Sequence, residues 1–198
     1  MNNEPLLLGA VILVSLSSTF ILISRDWRYC IGALALQYIG VFFLVYASWP
    51  IELAITKVVT GWMAGAILGI TMGGLPHDSQ ELKQPTRFGP VFRILAAAIL
   101  VLPITSLVLH SDSWLPTISI PIRWGSIILI SVGLLQLCLT SHPFRMIIGL
   151  LTSLAGFEVI YAAIETSTLV TGLLAGVNLG LALVGAYLLI APTMESSQ

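Results

Sequence analysis

Charge is the scarcest property of this chain. Only 9% of its 198 residues are Asp, Glu, Lys or Arg, against roughly a quarter in a typical soluble domain. That shortfall excludes an ordinary soluble globule, a disordered chain and a nucleic-acid binder that relies on a basic surface. The balance is close to neutral, 8 basic against 9 acidic side chains. Cysteine is almost missing as well. Cys30 and Cys138 alone exclude a disulfide-rich scaffold and a zinc cage built from thiolates. The three histidines, His77, His110 and His142, fall in or beside separate loops, so no metal site is expected. The chain also lacks a Walker motif, a dinucleotide fingerprint and a Ser/His/Asp arrangement, and no cofactor is expected within it. No Lys or Arg precedes the first apolar stretch, which therefore lacks the basic start of a signal peptide and reads as a retained first span.

What is present is apolar: 57% hydrophobic residues and a mean hydropathy of +1.01. A spanning helix needs about 20 mostly apolar residues, and seven segments qualify, at roughly 5–24, 29–48, 50–74, 91–110, 122–140, 143–165 and 168–191. The sequence thus predicts an all-α polytopic membrane protein of about seven transmembrane helices in a three-one-three arrangement. The breaks carry turn chemistry. Arg25-Asp26-Trp27-Arg28 separates the first two spans, Pro50 and Pro143 open the third and sixth, and Thr166-Ser167-Thr168 can cap the seventh. Pro103 interrupts the fourth, as membrane helices tolerate.

With seven spans one side collects Arg25, Arg28, Lys83, Arg87, Arg93 and Arg145, and the other only Arg123, leaving aside Lys57 inside a span. The positive-inside rule then places the N-terminus outside and the C-terminus in the cytoplasm or its equivalent. Both cysteines fall near cytoplasmic helix ends, where thiols stay reduced. Trp27, Trp49, Trp114 and Trp124 lie near span ends, as an aromatic belt predicts.

Spans one to three and five to seven look like copies, dividing the chain into a first three-helix unit (1–74), a linking region with its own helix (75–121) and a second unit (122–198). Arg28 and Gly32 correspond to Arg145 and Gly149. The third helices carry glycines at four-residue spacing, Gly61, Gly65, Gly69 and Gly73 in one and Gly172, Gly176 and Gly180 in the other. Such stripes let helix backbones approach closely in lipid, and spans three and seven are expected to pack on partners through them. With one extra helix between them, the units point the same way.

Four polar residues within or beside the spans are candidates for a proton or ion path. Counting from its cytoplasmic start puts Glu158 roughly 20 Å into span six, near the bilayer middle. There a charge costs about 2.5–3.5 kcal/mol on insertion scales and faces a protein interior or a water path. It is either a proton-exchanging carboxyl or a neutral one bonded to a neighbouring helix, and no matching acid or base stands at its depth on span seven. Asn178 lies at comparable depth and is its expected hydrogen-bond partner. Glu165 is two turns away on the same face, at the outer interface. Lys57, some 10 Å below the outer surface by the same count, either snorkels outward or belongs to an ion path. Gln37 and Gln136 are expected to bond between helices.

These residues carry a resemblance. Arg145-Met-Ile-Ile-Gly-Leu, the long apolar helix and hairpin after it, and Gly180-Leu-Ala-Leu resemble the small three-helix K subunit of complex I and the small C-type component of Mrp-type cation/proton antiporters. The first unit is similar to the E-type component of hydrogenase-4-type membrane complexes. Arg28, Gly32 and Gln37 match its Arg-x-x-x-Gly-x-x-x-x-Gln pattern, and Ile55-Thr56-Lys57-Val58 its Ile-Thr-Lys-Val stretch. The resemblance implies a non-catalytic subunit in the membrane arm of a complex I-like oxidoreductase. Its partners would be membrane lipid and antiporter-like subunits, its redox chemistry would lie elsewhere, and acidic residues would line a hydrated proton path. In place of the two glutamates of the K subunit stand Leu151 and the neighbourhood of Gly176, leaving Glu158, seven residues past Leu151, as a displaced substitute. Two alternatives stay open: an Mrp-type antiporter component and an independent parallel-repeat carrier.

Overall fold

The structure, a computed structural model, describes residues 4–75, 89–113 and 116–195. Lys83, Arg87, His77 and Trp114 lie outside the described residues. The chain is all-α, with seven helices among the described residues each long and apolar enough to cross a membrane: α1 (Glu4–Ile23), α2 (Trp27–Tyr46), α3 (Ile51–Gly74), α4 (Pro90–His110), α5 (Ile120–Cys138), α6 (Pro143–Ile164) and α7 (Thr168–Glu195). A 3-10 turn, Ser111–Ser113, follows α4.

The breaks fall where the turn residues stand. Asp26 accepts the backbone N–H of Arg28 at 3.0 Å and so caps α2. Pro50 directly precedes α3, and Pro143 is the first residue of α6, a position where the missing N–H of proline costs nothing. Pro103 sits inside α4 without ending it.

The helices form two layers. In the first, α2 lies between α1 and α3 and packs along both; in the second, α6 lies between α5 and α7. The layers stack so that α1 meets α5, α2 meets α6 and α3 meets α7. The fourth helix stands at one edge, against α5 and α1, and is the least buried of the seven. Lipid is as apolar as leucine, so helices in it associate through close packing and polar contacts. The tightest approach is between α5 and α6. A Cβ on Gly133 would stand 2.7 Å from the Gly149 carbonyl oxygen, and one on Gly156 2.7 Å from that of Ser126. Between layers, a Cβ on Gly125 would meet Leu44 at 2.5 Å.

Two arginines tie the layers to the end of α1. The last carbonyls of a helix have no partners within it and favour cations. Arg93 of α4 donates to the Leu22 carbonyl at 3.1 Å, and Arg145 of α6 donates to that of Ser24. Arg145 is thus a buried clamp between α6 and α1.

Candidate functional site

The two charged residues at span depth meet. Lys57 of α3 and Glu158 of α6 are buried, and Lys57 Nζ stands 3.0 Å from Glu158 Oε1. Asn178 of α7 donates its Nδ2 to the same carboxylate oxygen at 2.9 Å, and Tyr38 of α2 donates its hydroxyl to Asn178 Oδ1 at 3.3 Å. Four helices, two from each layer, therefore converge on one polar cluster whose members are all fully buried. Opposite charges held side by side are what makes two ionisable groups tolerable in an apolar interior.

Local sequence explains how each group arrives. Gly61 lies one turn beyond Lys57, on the same face of α3, and a Cβ there would stand 2.1 Å from the Tyr38 ring. The missing side chain lets the ring lie flat on the α3 backbone, which aims the phenol past α3 at Asn178. Above the cluster Trp49, in the turn between α2 and α3, is 3% exposed. Its indole N–H donates to the Glu165 carbonyl at 3.0 Å, its ring packs edge-on to Tyr161, and Lys57 Nζ stands 5.8 Å from its centroid. That contact adds a cation–π attraction for the ammonium. A second polar crossing joins the middle helices, where Gln37 Nε2 of α2 donates to Thr152 Oγ1 of α6 at 3.3 Å.

Chemically, the cluster is a net-neutral acid–base pair. Moving one proton across the 3.0 Å gap converts ammonium and carboxylate into amine and carboxylic acid, with Asn178 able to serve either form. Among the described residues, Glu158 Oε2 and Gln37 Oε1 are buried without a hydrogen-bond partner.

Several expectations are corrected here. Lys57 does not snorkel; it is buried, with Glu158 beside its ammonium and the Trp49 ring near it. Span seven carries no base for Glu158, as the sequence reads, but span three supplies one in Lys57. At 1.5 Å per residue Glu158 is about 9 Å from the Ile164 end of α6, and Lys57 about 9 Å from the Ile51 end of α3. The pair therefore lies toward the α2–α3 and α6–α7 turns rather than at mid-span. Glu165 is outside the cluster: it is exposed just past the end of α6, and only its carbonyl takes part, as acceptor for Trp49. Trp49 itself is buried over the lysine instead of facing lipid. Gly61, Gly65 and Gly69 pack inside the chain, on Tyr38 and Ile31 of α2, and not on a partner. Gly172, Gly176 and Gly180 of α7 have open space where a Cβ would be.

Other expectations match the geometry. Asn178 bonds Glu158, and both glutamines bond between helices, Gln136 Nε2 donating to the Arg145 carbonyl at 3.0 Å. Of the family-matching residues, Gln37, Arg145 and Gly149 are buried between helices, whereas Arg28 and Gly32 face outward. Tyr38, Trp49 and Thr152 are not among the sequence candidates. The glycine one turn after an intramembrane lysine is the available signal for a large side chain laid against that face. Compared with protein-family models, curated proteins and solved structures, the chain shows no match.

Proposed function

We propose that this chain is a non-catalytic membrane-arm subunit of a complex I-like, ion-translocating oxidoreductase assembly. It scaffolds antiporter-like subunits and passes a proton through the Lys57–Glu158 pair. The observation that carries this reading is the pair itself, buried between the two layers, at 3.0 Å, with Asn178 and Tyr38 in line behind it. A chain needing only to hold neighbours together gains little from two ionisable groups there, since a buried ion pair is often no more stabilising than apolar residues of similar volume. Redox chemistry belongs to other subunits. The N-terminus faces outward and the C-terminus the cytoplasm, in a bacterial plasma membrane or an internal energy-transducing one.

Gentle extraction of the tagged protein from its native membrane, followed by native gel and mass spectrometry, tests the assembly. Recovery with antiporter-like and redox subunits supports it, and antiporter-like subunits alone indicate the Mrp type. A small homo-oligomer, under extraction that keeps known complexes whole, refutes it in favour of a carrier. Glu158→Gln tests the path: ion translocation unchanged in a normally assembled complex reduces the subunit to a scaffold.

A further inference from the structure

Away from the polar cluster, the outer surface carries a groove of about 550 Å³ between α1 and α2. Its walls are large, exposed and apolar: Leu16 and Phe20 on α1, Tyr29 and Leu36 on α2. Its floor is made of the small residues Ser17, Gly32 and Ala33, and the Ser17 hydroxyl is spent on the Val14 carbonyl. From Arg28 to Leu36 the floor runs about 12 Å along the helix axis at 1.5 Å per residue, enough for the headgroup-proximal half of one acyl chain to lie lengthwise.

One end of the groove is charged. Arg28 lines it there, with its guanidinium held 5.4 Å from the Trp27 ring centroid. Arg25 is exposed in the same turn. The acid between them, Asp26, is engaged on the backbone N–H of Arg28. Arg93 and Arg145 nearby are committed to the carbonyls ending α1. Among the described residues, neither Arg25 nor Arg28 makes an ion pair. An apolar slot with the Arg28 guanidinium at one end and Arg25 exposed in the adjoining turn, neither of them ion-paired among the described residues, at the depth where a helix leaves the membrane, matches a lipid with a negative headgroup. Arginine is the side chain suited to phosphate.

We propose that the α1–α2 groove is a binding site for an anionic phospholipid, one acyl chain lying over Gly32 and Ala33 and the headgroup phosphate held by Arg28 and Arg25. The site does not depend on which complex the subunit joins. It uses the turn that the positive-inside rule places on the cytoplasmic side, the leaflet that carries anionic lipid.

The test uses the purified full-length chain in mild detergent, titrated with dioleoylphosphatidylglycerol or dioleoylphosphatidylcholine and read by native mass spectrometry. Phosphatidylglycerol should be retained in preference to phosphatidylcholine. Arg28→Gln should weaken the former about fivefold, the equivalent of about 1 kcal/mol for one arginine near a charged surface, and leave the latter unchanged. Gly32→Leu should remove both while the protein stays folded, because a Cβ at that position meets nothing within 4 Å. Equal retention of the two lipids by the wild type, or an Arg28→Gln variant that keeps its preference, overturns the headgroup assignment. Retention of neither, with a photo-crosslinker at position 36 in native membranes capturing a protein instead of phospholipid, gives the groove to a partner helix and overturns the proposal.

Discussion

Removing one charge of the Lys57–Glu158 pair should cost far more than removing both. The two side chains are 1% and 0% exposed and 3.0 Å apart, so a single neutralisation strands the other charge in an apolar interior. Breaking such a pair costs about 3–5 kcal/mol. In a protein of this size each kcal/mol moves the thermal midpoint by about 2–4 °C, so Lys57→Met and Glu158→Gln should each lower it by roughly 6–20 °C. The double variant has no charge to strand. Its glutamine can still accept from Asn178 Nδ2, but the N–H groups of the new amide have no partner where the lysine stood, so the loss should shrink to about 1–3 kcal/mol, the cost of leaving a buried polar group unsatisfied. Thermal unfolding of all four proteins in the same detergent, followed by size-exclusion fluorescence, closes the double-mutant cycle. Single variants within about 2 °C of wild type, less than 1 kcal/mol on that scale, would mean that the charges are not buried. A double variant that loses the sum of both singles would mean that they do not interact. Either result defeats the argument.

The glycines should separate by position. Gly133→Ala, whose methyl would meet the Ser153 hydroxyl oxygen at 2.3 Å and the Gly149 carbonyl oxygen at 2.7 Å, should cost about 1–3 kcal/mol from overpacking, whereas Gly172→Ala should leave the thermal midpoint of the isolated chain unchanged or raised. The thiols should differ too. A membrane-impermeant maleimide should label Cys138, exposed at the end of α5, from the cytoplasmic side only, and leave buried Cys30 unmodified until the protein unfolds; labelling of Cys138 from the outside would invert the topology. His142, just before α6, should make stability fall in acid. Burial first, and the Arg145 guanidinium second, hold its imidazole below its ordinary value of 6.5. The folded state therefore favours neutral histidine, and its contribution is present above pH 6.5 and lost as the pH drops through the lowered value. His142→Gln should flatten that part of a thermal-midpoint profile taken between pH 4 and pH 8.

Much of the fold is legible in hydropathy and turn residues. Each span is a mostly apolar run bounded by proline, charge or polar turn residues, so the helices begin and end within a few residues of expectation. How the helices pack is a different kind of information. Glu158 and Lys57 lie 101 positions apart (158 minus 57), and nothing in either segment specifies that α3 and α6 converge. A long-range contact between two uniformly apolar helices has no local signature. Depth misleads for a related reason: a count from the cytoplasmic end of α6 sets Glu158 near mid-span, whereas a count back from Ile164 puts it only about 9 Å from the other end. Glycine spacing is equally ambiguous. Identical four-residue stripes on α3 and α7 are a tyrosine seat in one case and bare surface in the other, because the outcome depends on the neighbour and not on the stripe. Trp49 reads as a belt residue because its place at a span end is all that sequence supplies.

The stacking of α1 on α5, α2 on α6 and α3 on α7 sets what the molecule can build. Consecutive crossings make each of these pairs run in the same direction. Two rows in that order are related by a sideways step, whereas a half-turn would have set α1 against α7 and α3 against α5. A half-turn uses one surface twice and is complete at two. A sideways step uses opposite surfaces of the row, so the back of each row remains as available as its front was before the two met. A contact of that kind is head-to-tail, and only the rotation between successive rows decides whether its repetition closes a ring or runs on as a line.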